Sequence, residues 1–193
     1  VLTLGNVGHR TEKERADNAA RNEGWKEVLA DKTFVKFWFV AIAAIFFGYS
    51  QIEVGFTAFS TTVSGMQPRD LAWAYATNTF FIAFFQLWVV KKLENTQRKK
   101  GVAIAAIIWM FSWVSLAISG VVGTGTLVFV IGCQFIFAIG EMIWSPILPS
   151  VVNQLAPDHL RGRYNSAATN TWQIALIGGP AVAGTMLGAK LHW

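Results

Sequence analysis

Five long apolar segments alternate with short polar connections along the chain. They cover approximately residues 34–60, 71–90, 101–122, 126–152 and 166–191. Each segment reaches roughly 20 residues, the length that an α-helix needs to cross the hydrocarbon core of a bilayer. The pattern therefore predicts an all-α integral membrane protein built as a bundle of five transmembrane helices.

Helix-breaking residues mark the connections between the apolar segments. Met66-Gln67-Pro68 is expected to end the first helical region, because proline lacks a backbone N–H group. Gly123-Thr124-Gly125 is so short a connection that the third and fourth segments are expected to be antiparallel neighbours. Pro146 and Pro149 lie inside the fourth segment and predict a kink there.

Basic residues are concentrated in alternate connections. If the helices alternate in direction, residues 1–36, 91–100 and 161–163 face one side and together hold 14 of the 16 lysines and arginines. The positive-inside rule assigns this side to the cytoplasm. We therefore expect a multi-pass protein with residues 1–32 in the cytoplasm and residues 33–193 in a transmembrane bundle.

A second, shorter apolar pattern lies within the polar segment 1–32. Trp25, Val28 and Leu29 form an apolar stripe beside charged residues, as in a short helix that lies in the membrane interface. The same stripe also fits an ordinary first turn of the first membrane helix. Both interpretations stay open at this point.

The composition excludes several classes of function. The formal net charge of +5 does not indicate nucleic-acid binding, because the basic residues lie where membrane topology alone would put them. A single cysteine, Cys133, allows no internal disulfide and no cysteine metal cluster. The three histidines lie outside the apolar segments and lack metal-ligand spacing. We expect no metal, no cofactor and no enzyme activity, since a nucleophile–base pair within the membrane is also missing.

Two glutamates, Glu53 and Glu141, lie inside apolar segments. A carboxylate in a membrane span is costly unless it is paired, protonated or exposed to water, so both are candidates for a substrate or proton pathway. Further candidates share a helical face with a glutamate or add polar and aromatic groups to neighbouring segments. These are Tyr49, Asn78, Gln86, Gln134, Trp172 and Gln173. The alternative is that the amides form hydrogen bonds between helices and only stabilise the bundle.

The fifth segment is rich in small residues. Gly178-Gly179-Pro180 is followed by Gly184. Glycines let helix backbones approach each other, and a proline bends a helix. The motif predicts a close helix–helix contact with a hinge, or simple packing of small residues.

These motifs resemble the carboxy-terminal half of a major facilitator superfamily transporter, covering spans seven to eleven of twelve. Residues 156–164, with Arg161 and Gly162, resemble the Pro…Arg-Gly turn that precedes span eleven. The basic turn at 91–100 resembles the short turn between spans eight and nine, although its glycines are missing. The Gly-Gly-Pro motif resembles the Gly-Pro motif of antiporters. Residues 1–32 are similar to the central cytoplasmic loop, so we expect a fragment without the first half and the last span.

The resemblance implies a substrate cavity between two six-helix halves and a mechanism of alternating access. It favours proton-coupled efflux of a small organic molecule across the plasma membrane (the inner membrane of a bacterium), with Glu141 and Glu53 as proton-titrating or cation-contacting groups. The implied partners are the lipid bilayer, the solute, a proton or another coupling ion, and the missing amino-terminal half. Two alternatives remain: a facilitative uptake carrier, and a non-transporting sensor or assembly subunit with a transporter-like fold.

Overall fold

A computed structural model describes residues 24–94 and 96–189 of the chain, and every regular element in these residues is helical. The polar segment 1–23 of the predicted cytoplasmic loop lies outside the described residues. A short helix, α1, covers residues 24–30. The elements that follow are α2 (Lys32–Phe47), a π-helical turn (Gln51–Gly55), α3 (Phe56–Thr62), α4 (Pro68–Leu93), α5 (Arg98–Ser119), α6 (Thr126–Leu155), a 3-10 turn (Asp158–Leu160) and α7 (Arg161–Gly188).

Four helical stretches in the described part of the chain are long and apolar enough to cross a membrane. They are Lys32–Thr62, Pro68–Leu93, Arg98–Ser119 and Thr126–Leu155, in the places of the first four predicted segments. The fifth predicted segment forms α7, a continuous helix of 28 residues. However, α7 is not among the helices apolar enough to qualify, because polar residues recur along it. Its helix is confirmed, and its apolar character is lower than predicted.

The predicted connections occur where helix-breaking residues stand. Pro68 begins α4, and Gln67 forms a capping box with Asp70, whose Oδ2 accepts from the Gln67 backbone N at 3.0 Å. Gly125 precedes α6 with a φ of 76°, a left-handed conformation that glycine adopts without strain. The chain can therefore reverse between α5 and α6, which pack against each other as antiparallel neighbours.

Side chains of α5 fasten this helix to α6 through backbone carbonyl groups. Trp109, Ser112 and Ser115 follow one another at intervals of three residues and so lie on one face of α5. Their acceptors are the carbonyl oxygens of Phe137 (3.3 Å), Cys133 (2.8 Å) and Phe129 (2.9 Å). Polar groups within these two apolar helices thus hold the helices together, at roughly 0.5–2 kcal/mol for each bond.

The centre of the bundle is α6, which packs against α4, α5 and α7. It continues through Pro146 and Pro149 without interruption. Because Pro146 has no N–H group, the carbonyl oxygen of Met142 loses its usual donor four residues further on. The side chain of Gln86 on α4 replaces it, with its Nε2 3.1 Å from that oxygen.

At one end of the bundle, α2, α5 and α7 begin and α4 and α6 end; we call it the basic end because it carries Lys32, Lys92, Arg98 and Arg161. A small apolar core lies there, in which Val28 of α1 packs with residues of α2, α6 and α7. The helical conformation is interrupted at residue 31, so α1 is a separate short helix and not the first turn of α2. Its position in a membrane interface stays a prediction.

Asp31 joins two helices at the basic end. Its Oδ1 caps α2 by accepting from the backbone N atoms of Thr33 (2.9 Å) and Phe34 (3.0 Å). Its Oδ2 accepts from the hydroxyl group of Tyr164 on α7, at 2.9 Å. The Asp31 carboxylate therefore caps the N-terminus of α2 and joins α2 to α7 by a hydrogen bond.

The segment that follows α2 makes a second contact with α7, nearer the middle of that helix. The π-helical turn packs against α7, where the Gln51 Nε2 lies 3.4 Å from the carbonyl oxygen of Gly179. A Cβ atom at Gly179 would overlap the hydroxyl group of Ser50, and one at Gly178 would lie 2.9 Å from the Phe46 ring. Gly184 differs, because a Cβ atom there would meet no described neighbour.

Replacing Asp31 by alanine is expected to lower the free energy of unfolding of the full-length protein by about 1–2 kcal/mol, because the helix loses its cap. Tyr164→Phe removes only the bond between helices and is expected to cost about 0.5–1.5 kcal/mol. Thermal unfolding in detergent measures both, with the exposed Asp158→Asn as control. If Asp31→Ala is no worse than the control, this carboxylate does not support the basic end.

Gly179→Ala is expected to lower stability by about 1–3 kcal/mol, because its Cβ atom forces α7 away from Ser50. The matched control is Gly184→Ala, which adds the same methyl group to the same helix in open space and is expected to be neutral or stabilising. Adding Ser50→Gly to Gly179→Ala restores part of the loss if the contact is steric. Equal thermal stability of the two alanine variants would contradict the close contact.

Candidate functional site

Three helices meet at the carboxyl group of Glu141, which lies halfway along α6. Asn78 of α4 donates from its Nδ2 to the Glu141 Oε2 at 3.4 Å. Tyr49, which follows the end of α2, interacts electrostatically with the same carboxylate. Sequence analysis selected all three residues, and the structure brings them together.

The ring of Tyr49 packs against aromatic side chains of three helices. Its centroid lies 5.3 Å from Trp109 of α5, 5.5 Å from Phe137 of α6 and 4.7 Å from Trp172 of α7. Tyr49 is 8% exposed. Aromatic contacts of this kind favour particular ring orientations. Trp172, a sequence candidate for the pathway, therefore contributes here by fixing the ring that carries the hydroxyl group beside Glu141.

Glu53 lies in the π-helical turn and is exposed. Its charge interacts electrostatically with Glu141 and with Tyr75 of α4. A π-helical turn holds one residue more than an α-helical turn and rotates the residues that follow it. The regular spacing used in the sequence analysis does not include this rotation.

Sequence analysis missed Tyr75. Its hydroxyl oxygen lies 2.8 Å from the Thr57 Oγ1, and the hydroxyl group donates to the carbonyl oxygen of Ile52 at 3.2 Å. Tyr75 precedes Asn78 by three residues, so the two share a face of α4. That spacing was the signal in the sequence. We name Tyr49, Glu53, Tyr75, Asn78 and Glu141 the central polar cluster.

Three other candidates lie apart from these contacts. The side chain of Gln86 donates to the Met142 carbonyl group and so joins α4 to α6. Gln134 lies two helical turns from Glu141 on the same face of α6 and is buried, with its Nε2 unpaired among the described residues. Gln173 is exposed on α7. Among the described residues, no hydrogen bond joins these three side chains to the central polar cluster.

Two motif residues, Arg161 and Gly162, begin α7. Arg161 Nη2 lies 2.7 Å from Asp158 Oδ1. Gly162 is exposed, and a Cβ atom there would meet no neighbour among the described residues. This turn therefore lies at the basic end, away from the central polar cluster.

The ion pairs found in the described part of the chain lie away from the central polar cluster. Ion pairs within residues 24–94 and 96–189 include Arg69–Asp70, His159–Glu27 and Arg161–Asp158, at the ends of the bundle. None includes Glu53 or Glu141. The same residues hold no group of histidine, cysteine and acidic side chains that could bind a metal. The cluster thus combines two carboxyl groups with neutral donors.

The outer surface of the bundle is different in character. Large apolar side chains on α4 and α5 are exposed, as expected of surfaces that face lipid tails. Examples are Phe84, Leu87, Ile107, Phe111 and Val114. The exposed carboxylate of Glu53 and the half-buried Asn78 interrupt this apolar surface on another side. A polar side of this kind is suited to a water-filled cavity.

Comparisons with known proteins agree with this architecture. The family model described as Major Facilitator Superfamily matches residues 4–180. The uncharacterized MFS-type transporter YhjO of Bacillus subtilis (strain 168) is 26% identical over 139 residues, which are 72% of this chain and 33% of that protein. The chain thus spans about a third of the length of this curated relative. No solved structure gives a significant match. Because the family model covers most of its length, the chain belongs to the Major Facilitator Superfamily, a family of multi-pass membrane transporters.

Proposed function

We propose that the protein is a secondary active transporter that exports a small organic solute by alternating access, driven by a proton gradient. The observation that carries this proposal is the position of Glu141. It lies in the middle of a helix long and apolar enough to span a membrane, accepts a hydrogen bond from Asn78 of α4 and interacts electrostatically with Tyr49. A carboxyl group at this depth costs free energy, so its presence favours a functional role.

The cavity is proposed to lie beside the central polar cluster. Helices α2, α4 and α6 contribute one wall, and a second half of the protein supplies the other, as in transporters built from two repeats. The basic end is proposed to face the cytoplasm under the positive-inside rule, in the plasma membrane of a bacterium. These assignments rest on the charge distribution and on family membership.

Glu141 is the proposed coupling group. The titratable groups that face it are Tyr49 and Glu53, and Asn78 adds an uncharged donor. Binding of a proton at Glu141 removes one of the two negative charges of the cluster. The two forms of the cluster therefore bind a charged or polar solute with different affinity, which is the condition for coupling a proton to a solute.

Replacing Glu141 by glutamine is expected to reduce proton-gradient-driven solute movement at least about tenfold, because the amide has nearly the same shape and cannot titrate. The measurement uses the full-length protein in proteoliposomes and a panel of organic cations, sugars, neutral drugs and carboxylates. Glu27→Gln, which removes an exposed carboxylate of α1, is the matched control.

Each outcome of this measurement has a defined meaning. Gradient-driven transport that survives Glu141→Gln contradicts coupling at Glu141. Movement that ignores the gradient in the unchanged protein indicates a facilitative carrier. Binding without movement of any solute indicates a sensor or assembly subunit. Movement that ignores the gradient and binding without movement would each contradict proton-coupled transport.

A further inference from the structure

A recess at the basic end lies between the beginnings of α2 and α5, with α6 as its third wall; we call it the basic recess. Its volume is about 640 Å³. Lys36 of α2 and Arg98 and Lys99 of α5 line it, together with the amides of Gln97 and Gln154. In the described part of the chain, no acidic residue lines this recess. Three positive charges from two helices therefore surround one opening, which favours an anion.

Arg98 is held in place within the basic recess. It is half-buried, and its Nε donates to the Ser150 Oγ of α6 at 2.9 Å. Among residues 24–94 and 96–189, no hydrogen bond from its Nη1 or Nη2 group is found. The guanidinium group is therefore oriented by the fold and keeps donors for a ligand, an arrangement that suits the oxygen atoms of a phosphate group.

The beginning of α5 adds backbone donors to the same place. Gln97 precedes this 22-residue helix and provides no side-chain cap. The first N–H groups of α5 thus have no side-chain acceptor at the N-cap, and they carry the partial positive charge of a helix N-terminus. The beginning of α2 differs, because Asp31 caps it. The backbone of α5 therefore adds to the attraction that the cationic side chains exert on an anion.

An apolar groove continues from the basic recess along α2 and α5. This second cavity has a volume of about 620 Å³ and shares Val40 and Val102 with the recess. Its walls are mainly apolar and aromatic, and include Ala43, Ala44, Phe47, Trp109, Met110 and Trp113. Val40 and Met110 are 50% and 55% exposed, so the groove opens on the outer surface of the bundle. Trp113 follows Arg98 by 15 residues, or about 22 Å at 1.5 Å per residue, whereas one leaflet of the hydrocarbon core is about 15 Å thick. The groove is therefore long enough for one acyl chain.

We propose that the basic recess and the apolar groove together bind an anionic phospholipid. Its phosphate group lies at Lys36, Arg98 and Lys99, and one acyl chain lies along the groove. A soluble phosphate ester would use only the recess, and a lipid without net charge would use mainly the groove. A lipid with a net negative charge uses both parts. This site lies on the outer surface of the bundle, and the proposal depends neither on the identity of the solute nor on proton coupling.

Lipid binding by the full-length protein tests the basic recess. Protein freed of lipid in a neutral detergent is titrated with phosphatidylglycerol and with phosphatidylcholine of the same acyl chains, and bound lipid is counted by native mass spectrometry. We expect phosphatidylglycerol to bind at least about tenfold more tightly. Combining Lys36→Gln, Arg98→Gln and Lys99→Gln is expected to abolish this preference, because the charges that attract the phosphate group are lost.

The matched control removes three other charges from the same end of the bundle. It combines Lys32→Gln, Lys91→Gln and Lys100→Gln, at exposed positions outside the basic recess. This control is expected to change the preference for phosphatidylglycerol less than about twofold, because solvent and salt screen exposed charges. Thermal unfolding is measured for both triple variants. If the recess variant unfolds, Lys36→Gln with Lys99→Gln takes its place and leaves the bond between Arg98 and Ser150 intact.

Filling the apolar groove distinguishes a lipid from a soluble phosphate compound. Ala106→Phe places a ring in the groove, whereas Ala103→Phe adds the same ring at an exposed position of α5 outside it. Ala106→Phe is expected to weaken binding of phosphatidylglycerol at least about fivefold, because the acyl chain loses its place, and Ala103→Phe is expected to have no effect. Inorganic phosphate and glycerol phosphate in large excess are expected to leave the lipid bound.

A photoactivatable phosphatidylglycerol locates the site in the unchanged protein. With the reactive group on an acyl chain, we expect crosslinks to groove residues of α5 between positions 102 and 114. The proposal is overturned by equal binding of the two lipids, by a preference that survives in the recess variant, or by displacement of the lipid by glycerol phosphate. Crosslinks found only outside the groove also overturn it, and are the result expected if a further segment of the full-length chain fills the groove.

Discussion

Hydrogen bonds from side chains to backbone carbonyl groups fix the position of α6, and the site depends on that position. Between helices in lipid the hydrophobic effect gives little drive for association, so specific contacts decide how the helices meet. Ser112 of α5 bonds to one side of α6, and Gln86 of α4 bonds to the carbonyl group that Pro146 leaves without a donor. With α6 held from two sides, Glu141 faces α2 and α4, where Tyr49 and Asn78 reach it.

Two local departures from regular helix determine how α2 and α7 contribute. Glu53 is exposed in the π-helical turn, and the lack of a side chain at Gly179 lets α7 approach Ser50. These irregular segments lie against each other, joined by Gln51. The π-helical turn that carries Glu53 therefore also contacts α7, a helix that contributes no residue to the central polar cluster.

The sequence predicts the helices well because helix length and membrane thickness are linked by a fixed rise per residue. The breaks at Pro68 and Gly125 follow from backbone chemistry in the same way. The convergence of Tyr49, Asn78 and Glu141 could be predicted only as three separate candidates, because their helices are distant in sequence. The role of Gln86 was missed, although Pro146 signalled a carbonyl group without a donor. The π-helical turn has no comparable signal in the sequence pattern.

The two carboxyl groups of the central polar cluster have different surroundings. Glu141 is half-buried and accepts a hydrogen bond from Asn78, whereas Glu53 is exposed in the π-helical turn. The electrostatic interaction between them couples the two groups, because a change of charge at one changes the electrostatic potential at the other. On the proposed function, binding of a proton at Glu141 therefore changes the affinity of the cluster for the solute, and by linkage the bound solute changes the affinity of Glu141 for the proton.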